Sequence, residues 1–159
     1  MDASAGRHPI SPLIYGINFA SQASGMSAAL NVPVDRWGGN ATSRYNYANG
    51  FTNTGSDWYF ENVTPDQSLN AFVDGDRRTG AKSLVTVPMI GWVAKDGSAA
   101  EHPYTCSFPK TAFPVQDGFD YWDPGCGNGT RNGTNLAADP TTTSTRVGAD
   151  FDQALVASL

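Results

Sequence analysis

An α/β fold with parallel strands is what this sequence predicts, on three observations. Strand-type segments alternate with helix-type segments as far as Val93. One of the strand-type runs, SLVTVPMIGWV from Ser83 to Val93, is almost continuously apolar, as suits a strand covered on both faces of a parallel sheet. Ahead of it lies a helix-type segment with its own start and stop signals, the arrangement in which a crossover helix joins successive parallel strands.

The elements follow in order. His8 to Pro12 is a proline-bounded entry, and LIYGINF, Leu13 to Phe19, reads as the first strand, with Asn18 polar among apolar neighbours near its end. Ser21 to Leu30 is rich in small residues and is expected to form a short helix stopped by Asn31 and Pro33. Val34 to Trp37 is the second strand and runs straight into Gly38-Gly39-Asn40; glycines at a strand end mark a sharp turn or a close approach of backbone. Thr64-Pro65-Asp66-Gln67 then offers a capping box, with Thr at the N-cap, Pro at the first helical position and Gln three residues on. Leu69, Phe72 and Val73 share one helical face, and Gly80 is the expected stop.

The third strand, Ser83 to Val93, ends near Gly91-Trp92. Residues 94–149 carry turn chemistry without a periodic pattern. An insertion of that length in a compact domain is usually functional, or held by a disulfide or a metal. Asp150 opens a last apolar pattern at Phe151, Ala154, Leu155 and Val156. Polar and aromatic residues gather where the three strands end, and the carboxyl ends of parallel strands are where barrel folds build their sites. Three strands do not close an eight-stranded barrel, so the expected architecture is the amino-terminal portion of a (β/α)8 barrel, about three β/α units with a long insertion after the third strand.

Composition narrows the function. Hydrophobic residues make up 40% of the 159, enough for a packed core. A net charge of −5 and a pI near 4.7 argue against nucleic acid and anionic membranes as partners, since both require a basic face. The opening MDASAGRHP lacks the basic and apolar pattern of a secretory signal. Cys106 and Cys126 stand in Gly-, Pro- and Asn-rich surroundings. Paired, they would stabilise the loop by roughly 3 kcal/mol and imply an oxidising compartment; the alternative is two unpaired small residues. Low charge and four glycosylation-type sequons, at Asn40, Asn62, Asn128 and Asn132, also suit an exported protein.

The most telling stretch is Val34 to Asn62, in which Trp37, Tyr45, Tyr47, Phe51, Trp58, Tyr59 and Phe60 stand among two arginines and five asparagines. Rings mixed with amides and guanidinium groups make a surface that stacks on a ligand and hydrogen-bonds its edges, which suits a sugar.

DRWGGNATSRYNY followed by GSDWYFEN resembles the amino-terminal part of the catalytic domain of glycoside hydrolase family 44, the endoglucanases and xyloglucanases. IYGINF resembles that family's first barrel strand, and FPKTAFPVQDGFDYWDPGCGNG with ADPTTTS resembles its insertion after the third strand. The resemblance runs from Pro12 to Phe151 in one order. It implies a (β/α)8 barrel with an added β-sandwich, retaining hydrolysis of β-1,4-glucans, secretion or periplasmic location, and a monomeric full-length form. Family members carry their two catalytic glutamates on later strands. The glutamates here are Glu61 and Glu101, neither in such a context, so the isolated chain is expected to be inactive, a fragment ending before the catalytic pair.

Candidate substrate-binding residues are Arg36, Trp37, Asn40, Trp58 and Trp92. Arg36, matching the RWGGN motif, is suited to hold a carboxylate or sugar hydroxyls by paired hydrogen bonds. Structural calcium near the active-site face belongs to the family, and Glu61, Asp123 and Asp139 are candidate oxygen ligands in a loop rich in acids and turns. The competing readings are a carbohydrate-binding module without catalysis and a structural exported domain whose aromatics are core.

Overall fold

A computed structural model describes residues 6, 8–18, 29–54, 59–65, 67–95 and 104–159. Its organising element is a three-stranded parallel sheet of β1 (Gly16–Asn18), β2 (Val34–Trp37) and β5 (Lys82–Val85) in the order β1-β2-β5. The register aligns Asn18 with Arg36 and Arg36 with Leu84 on adjacent strands. Strand alternation puts those three residues on one face and Asp35, Trp37, Ser83 and Val85 on the other.

The second face is covered by helix α1 (Leu69–Thr79). The helix begins at Ser68, whose hydroxyl accepts from Ala71 N at 3.3 Å, and ends at Gly80 with φ 81°. The start predicted at Thr64 is therefore corrected. Ser68 followed by an uninterrupted apolar periodicity caps better than the proline-led box, and Asn62–Val63 is instead β4, paired antiparallel with β3 (Thr52–Asn53). The core joins Trp37, Tyr45, Leu69, Phe72, Val73 and Leu155, the last from α2 (Ala149–Ala157). The expected helix over Ser21 to Leu30 falls mostly outside the described residues.

Ser83 to Val93 is not one strand. β5 stops at Val85, and β6 (Trp92–Ala94) pairs antiparallel with β9 (Ser144–Arg146). Pro88 brings no N–H to a ladder, and Gly91, at φ 74°, turns the chain into β6. Nor is β5 covered on both faces by described residues: Leu84 is 56% exposed, and Met89 and Ile90 beyond it are exposed as well.

The insertion has order of its own. Cys106 and Cys126 form a disulfide. Phe108 packs edge-to-face between Phe60 and Phe113 at 5.2 and 5.4 Å. Gly129, at φ 70°, runs so close beneath Phe108 that a Cβ would meet the ring at 2.5 Å. The hairpin of β7 (Thr130–Arg131) and β8 (Thr134–Asn135) turns at Asn132-Gly133, both at positive φ. The Asp117 carboxylate accepts from the N–H of Asn132 and Gly133 at 2.7 and 2.8 Å, and those bonds hold its pKa below the usual value. No helix among the described residues is long and apolar enough to cross a membrane.

Between α1 and the sheet lie two buried carboxyl groups, Asp35 of β2 and Asp76 of α1 itself. Asp76 accepts from Ser83 Oγ at 2.6 Å. Burial raises its pKa, the Ser83 bond opposes the rise, and the neighbouring Asp35 adds to it. A carboxyl whose folded pKa lies above its unfolded one contributes stability in acid and loses it as pH rises through the folded value. Asp76→Asn is accordingly expected to flatten the fall of melting temperature with rising pH while changing stability by less than about 1 kcal/mol. Asp76→Ala, which strands the Ser83 hydroxyl, is expected to cost about 1–3 kcal/mol. Thermal melts across pH check both.

Candidate functional site

The carboxyl ends of β1 and β2 bring together Asn18, Arg36 and the glycine turn. Arg36 is exposed and donates from Nη1 to Asn18 Oδ1 at 3.4 Å. Gly38 leaves room for this placement: a Cβ there would stand 2.8 Å from Arg36 Nη2 and 2.7 Å from Thr86 Oγ1, so a larger residue would displace the guanidinium. Gly39 follows at φ 104° and leads into the turn Asn40–Thr42, on which Asn40 is exposed. A small cleft beside it is lined by Asn40, Ser43, Arg44, Asn53 and Phe60. Arg44 reaches into this region with Nη1 on Asn53 Oδ1 and Ser144 Oγ at 3.4 and 3.2 Å, and burial lowers its pKa.

Trp37 does not join this group. It is 2% exposed, with its ring 4.8 Å from Tyr45 in the core. Adjacent strand residues point to opposite faces, so a chain that exposes Arg36 must bury Trp37. That signal was present in the sequence. Trp92 is half-buried on β6 opposite Arg146, and Trp58 lies outside the described residues. Most of the asparagines read as ligand-facing are scaffold instead. Asn46 and Asn49 donate to the carbonyls of Ala94 and Lys95 at 2.7 Å, Asn53 donates to Asn62 Oδ1 at 2.9 Å, and Asn62 donates to the Thr143 carbonyl at 2.7 Å. A loop-rich domain must satisfy its buried backbone somehow, and these amides do it.

A second group surrounds Glu61. Tyr59 and Phe60 are both at positive φ, a sparsely populated conformation for non-glycine residues. They deliver Glu61 to an isolated bridge with Cys106, where its side chain is buried. A carboxylate oxygen of Glu61, one of Asp123 and the Cys126 sulfur lie within 4.8 Å of one another. Glu61 Oε1 is buried without a hydrogen-bond partner. Burial pushes the Glu61 pKa up to about 8, with the charge and a hydrogen bond of Asp120 adding to it and Asp123 acting in the same direction. Asp123 in turn accepts from Tyr104 N and Gly125 N.

Glu61 and Asp123, buried together, with the half-buried Asp120 bonded to Glu61, suit a hard cation with oxygen ligands. The sulfur is no thiolate, because Cys126 is disulfide-bonded. Asp139 is not brought to the group. It is exposed and caps the turn Pro140–Thr142, accepting from Thr141 N and Oγ1 at 2.9 and 2.7 Å. Asp120, not singled out in the sequence, is instead the acid that stands beside Glu61. The only sequence signal for it was its position three residues before Asp123.

Comparison with known proteins bears on the family of the chain. The profile of Glycoside hydrolase family 44 matches residues 51–159. Beta-mannanase/endoglucanase A of Caldicellulosiruptor saccharolyticus is 32% identical over 119 residues, covering 64% of this chain and 8% of that protein. Endoglucanase A of Paenibacillus lautus is 31% identical over 111 residues, 60% of this chain and 15% of its own length. Among solved structures, CelM2, a bifunctional glucanase-xylanase from a metagenome library, superimposes with a TM-score of 0.83 at 39% identity, over 99% of this chain and 31% of that one. The chain thus spans less than a third of each of these relatives. With the family profile covering most of its length, the chain belongs to glycoside hydrolase family 44.

Proposed function

We propose that this chain is the amino-terminal part of the catalytic domain of an exported, retaining endo-β-1,4-glucanase or xyloglucanase, about three β/α units of a (β/α)8 barrel, and that it supplies one wall of the polysaccharide cleft. The observation that carries the reading is the gathering of Asn18, Arg36 and the Gly38–Asn40 turn at the carboxyl ends of parallel strands, the end at which barrels build their sites. The open face of the sheet supports it. Leu84, in register with Arg36, is an apolar side chain facing outward where further barrel strands would close over it.

Retaining hydrolysis uses two carboxyl groups about 5 to 5.5 Å apart. Glu61 is committed to the buried group on the insertion, and Glu101 lies outside the described residues. The reading assigns the catalytic pair to sequence following Leu159 and gives Arg36 the task of holding a carboxylate or sugar hydroxyls. Glu61, Asp120 and Asp123 are assigned to structural calcium, which would neutralise their mutual repulsion and tie the insertion to the cleft wall. The disulfide favours a secreted or periplasmic location.

Extension of the chain through the following strands is expected to give hydrolysis of xyloglucan and carboxymethylcellulose. In that longer protein Arg36→Ala is expected to lower kcat/KM by on the order of a hundredfold with little change in melting temperature. Turnover by the 159 residues alone, or a fully active Arg36→Ala protein, would sink the reading. Glucan retention without hydrolysis by the extended protein would favour a binding module.

A further inference from the structure

We propose that Tyr121 and Trp122 form a glucan-stacking surface on the insertion, in addition to the residues at the strand ends. The two rings are 83% and 79% exposed and adjacent, two large aromatic side chains presented together at the surface. Looseness of the loop does not explain it. Asp120 Oδ1 accepts from Trp122 N at 3.1 Å, Asp120 N donates to the Cys126 carbonyl at 2.9 Å, and Cys126 N donates to the Asp123 carbonyl at 2.9 Å. The disulfide then fixes Cys126 to Cys106. The backbone is held while the rings are left outside.

Their mutual geometry leaves room for a ligand. The centroids are 5.1 Å apart and the planes nearly perpendicular, so at least one face of each ring is open. A pyranose presents an apolar C–H face and a hydroxyl-bearing edge, and it matches a flat ring set among polar groups. Here Asp120 and Asp123 hold the backbone beside the pair, and the open ring faces are what the C–H face of a pyranose would meet. A protein-binding hot spot would instead sit within a rim of packed residues that excludes water, and among residues 118–125 the one further large apolar side chain, Phe119, is half-buried beneath Lys110. The ligand class is therefore a β-linked glucan chain. This inference rests on the glucan reading given above.

Affinity electrophoresis in gels containing xyloglucan or carboxymethylcellulose tests it. Trp122→Ala is expected to weaken retention about three- to tenfold and the Tyr121→Ala/Trp122→Ala pair more. Val115→Ala, an exposed apolar position on the same insertion, is expected to leave retention unchanged. Because both rings are exposed, the variants should keep the wild-type melting temperature. Xyloglucan is also expected to protect Trp122 from N-bromosuccinimide, read by mass spectrometry of its peptide. If Arg36→Ala abolishes retention and Trp122→Ala does not, the stacking surface is wrong and the cleft reading stands. Loss in Trp122→Ala alone supports the surface and counts against the cleft. Absence of retention in the wild type overturns both, and protection of Trp122 by a protein fraction but not by xyloglucan overturns the surface in favour of a protein partner.

Discussion

Replacing Trp37 by alanine is expected to destabilise the fold by about 3–5 kcal/mol, a large share of the about 5–15 kcal/mol that holds a typical domain folded. The reason is position. Trp37 lies at the junction of the sheet with α1 and α2, 2% exposed, against Tyr45, whose hydroxyl accepts from Leu69 N at 3.4 Å at the start of α1. Removing the indole therefore empties the core and loosens the contact that seats the helix. Loss of near-ultraviolet dichroism and of a cooperative melt checks this, and Trp37→Phe is expected to retain both at a smaller cost. A Trp37→Ala protein that melted like the wild type but lost glucan affinity would return the residue to the cleft.

Chelation is the second large effect. Calcium at a hundred times its dissociation constant is expected to stabilise the folded chain by about 2.7 kcal/mol over its chelated state, seen as a rise in melting temperature. The pH dependence has a definite sign. Glu61 titrates near 8 in the fold, above its ordinary value, so in chelator its contribution is complete in acid and erodes as pH rises towards 8. Calcium requires the deprotonated carboxyls, so its effect should grow over the same range. Glu61→Gln is expected to melt higher than the wild type in chelator near pH 8 and to ignore calcium. An equal response of both proteins to calcium would remove Glu61 from the site.

Much of the scaffold was legible in the sequence because local signals there agree with tertiary demands. Val34–Trp37 is bounded by a proline before it and glycines after it, and it forms as β2 with those limits. Leu69, Phe72 and Val73 face the core, and Gly80 stops the helix, since periodicity and a left-handed cap act at short range. Where two signals competed, the weaker one was easy to choose. The apolar run after Ser83 outweighed Pro88 and Gly91, yet those two residues decide where β5 ends. Aromatic and amide density made one surface of Val34 to Asn62, whereas the chain divides it: Trp37 and Tyr45 go to the core, and Asn46, Asn53 and Asn62 hold backbone together. The buried carboxyl group was half legible. Glu61 and Asp123 were identifiable by type, but Asp139 and Asp120 differ only in which of them the folded loop brings near Glu61.

The pairing of β6 with β9 has a consequence for how such a chain can be altered. Ala94 aligns with Ser144, and Lys95 N bonds the Thr143 carbonyl at 2.9 Å, so the insertion leaves and rejoins the body at adjacent points. A segment whose two ends emerge side by side behaves as a cassette. Its length can vary away from the body at small loop-closure cost, but any replacement must supply the partners that Phe60, Glu61 and Asn62 find in Phe108, Cys106 and Thr105. The parallel sheet and its covering helix would remain in register throughout. Diversity in what the protein grips could then arise by swapping this one cassette, while the strand-end arginine and the core beneath it stay as they are.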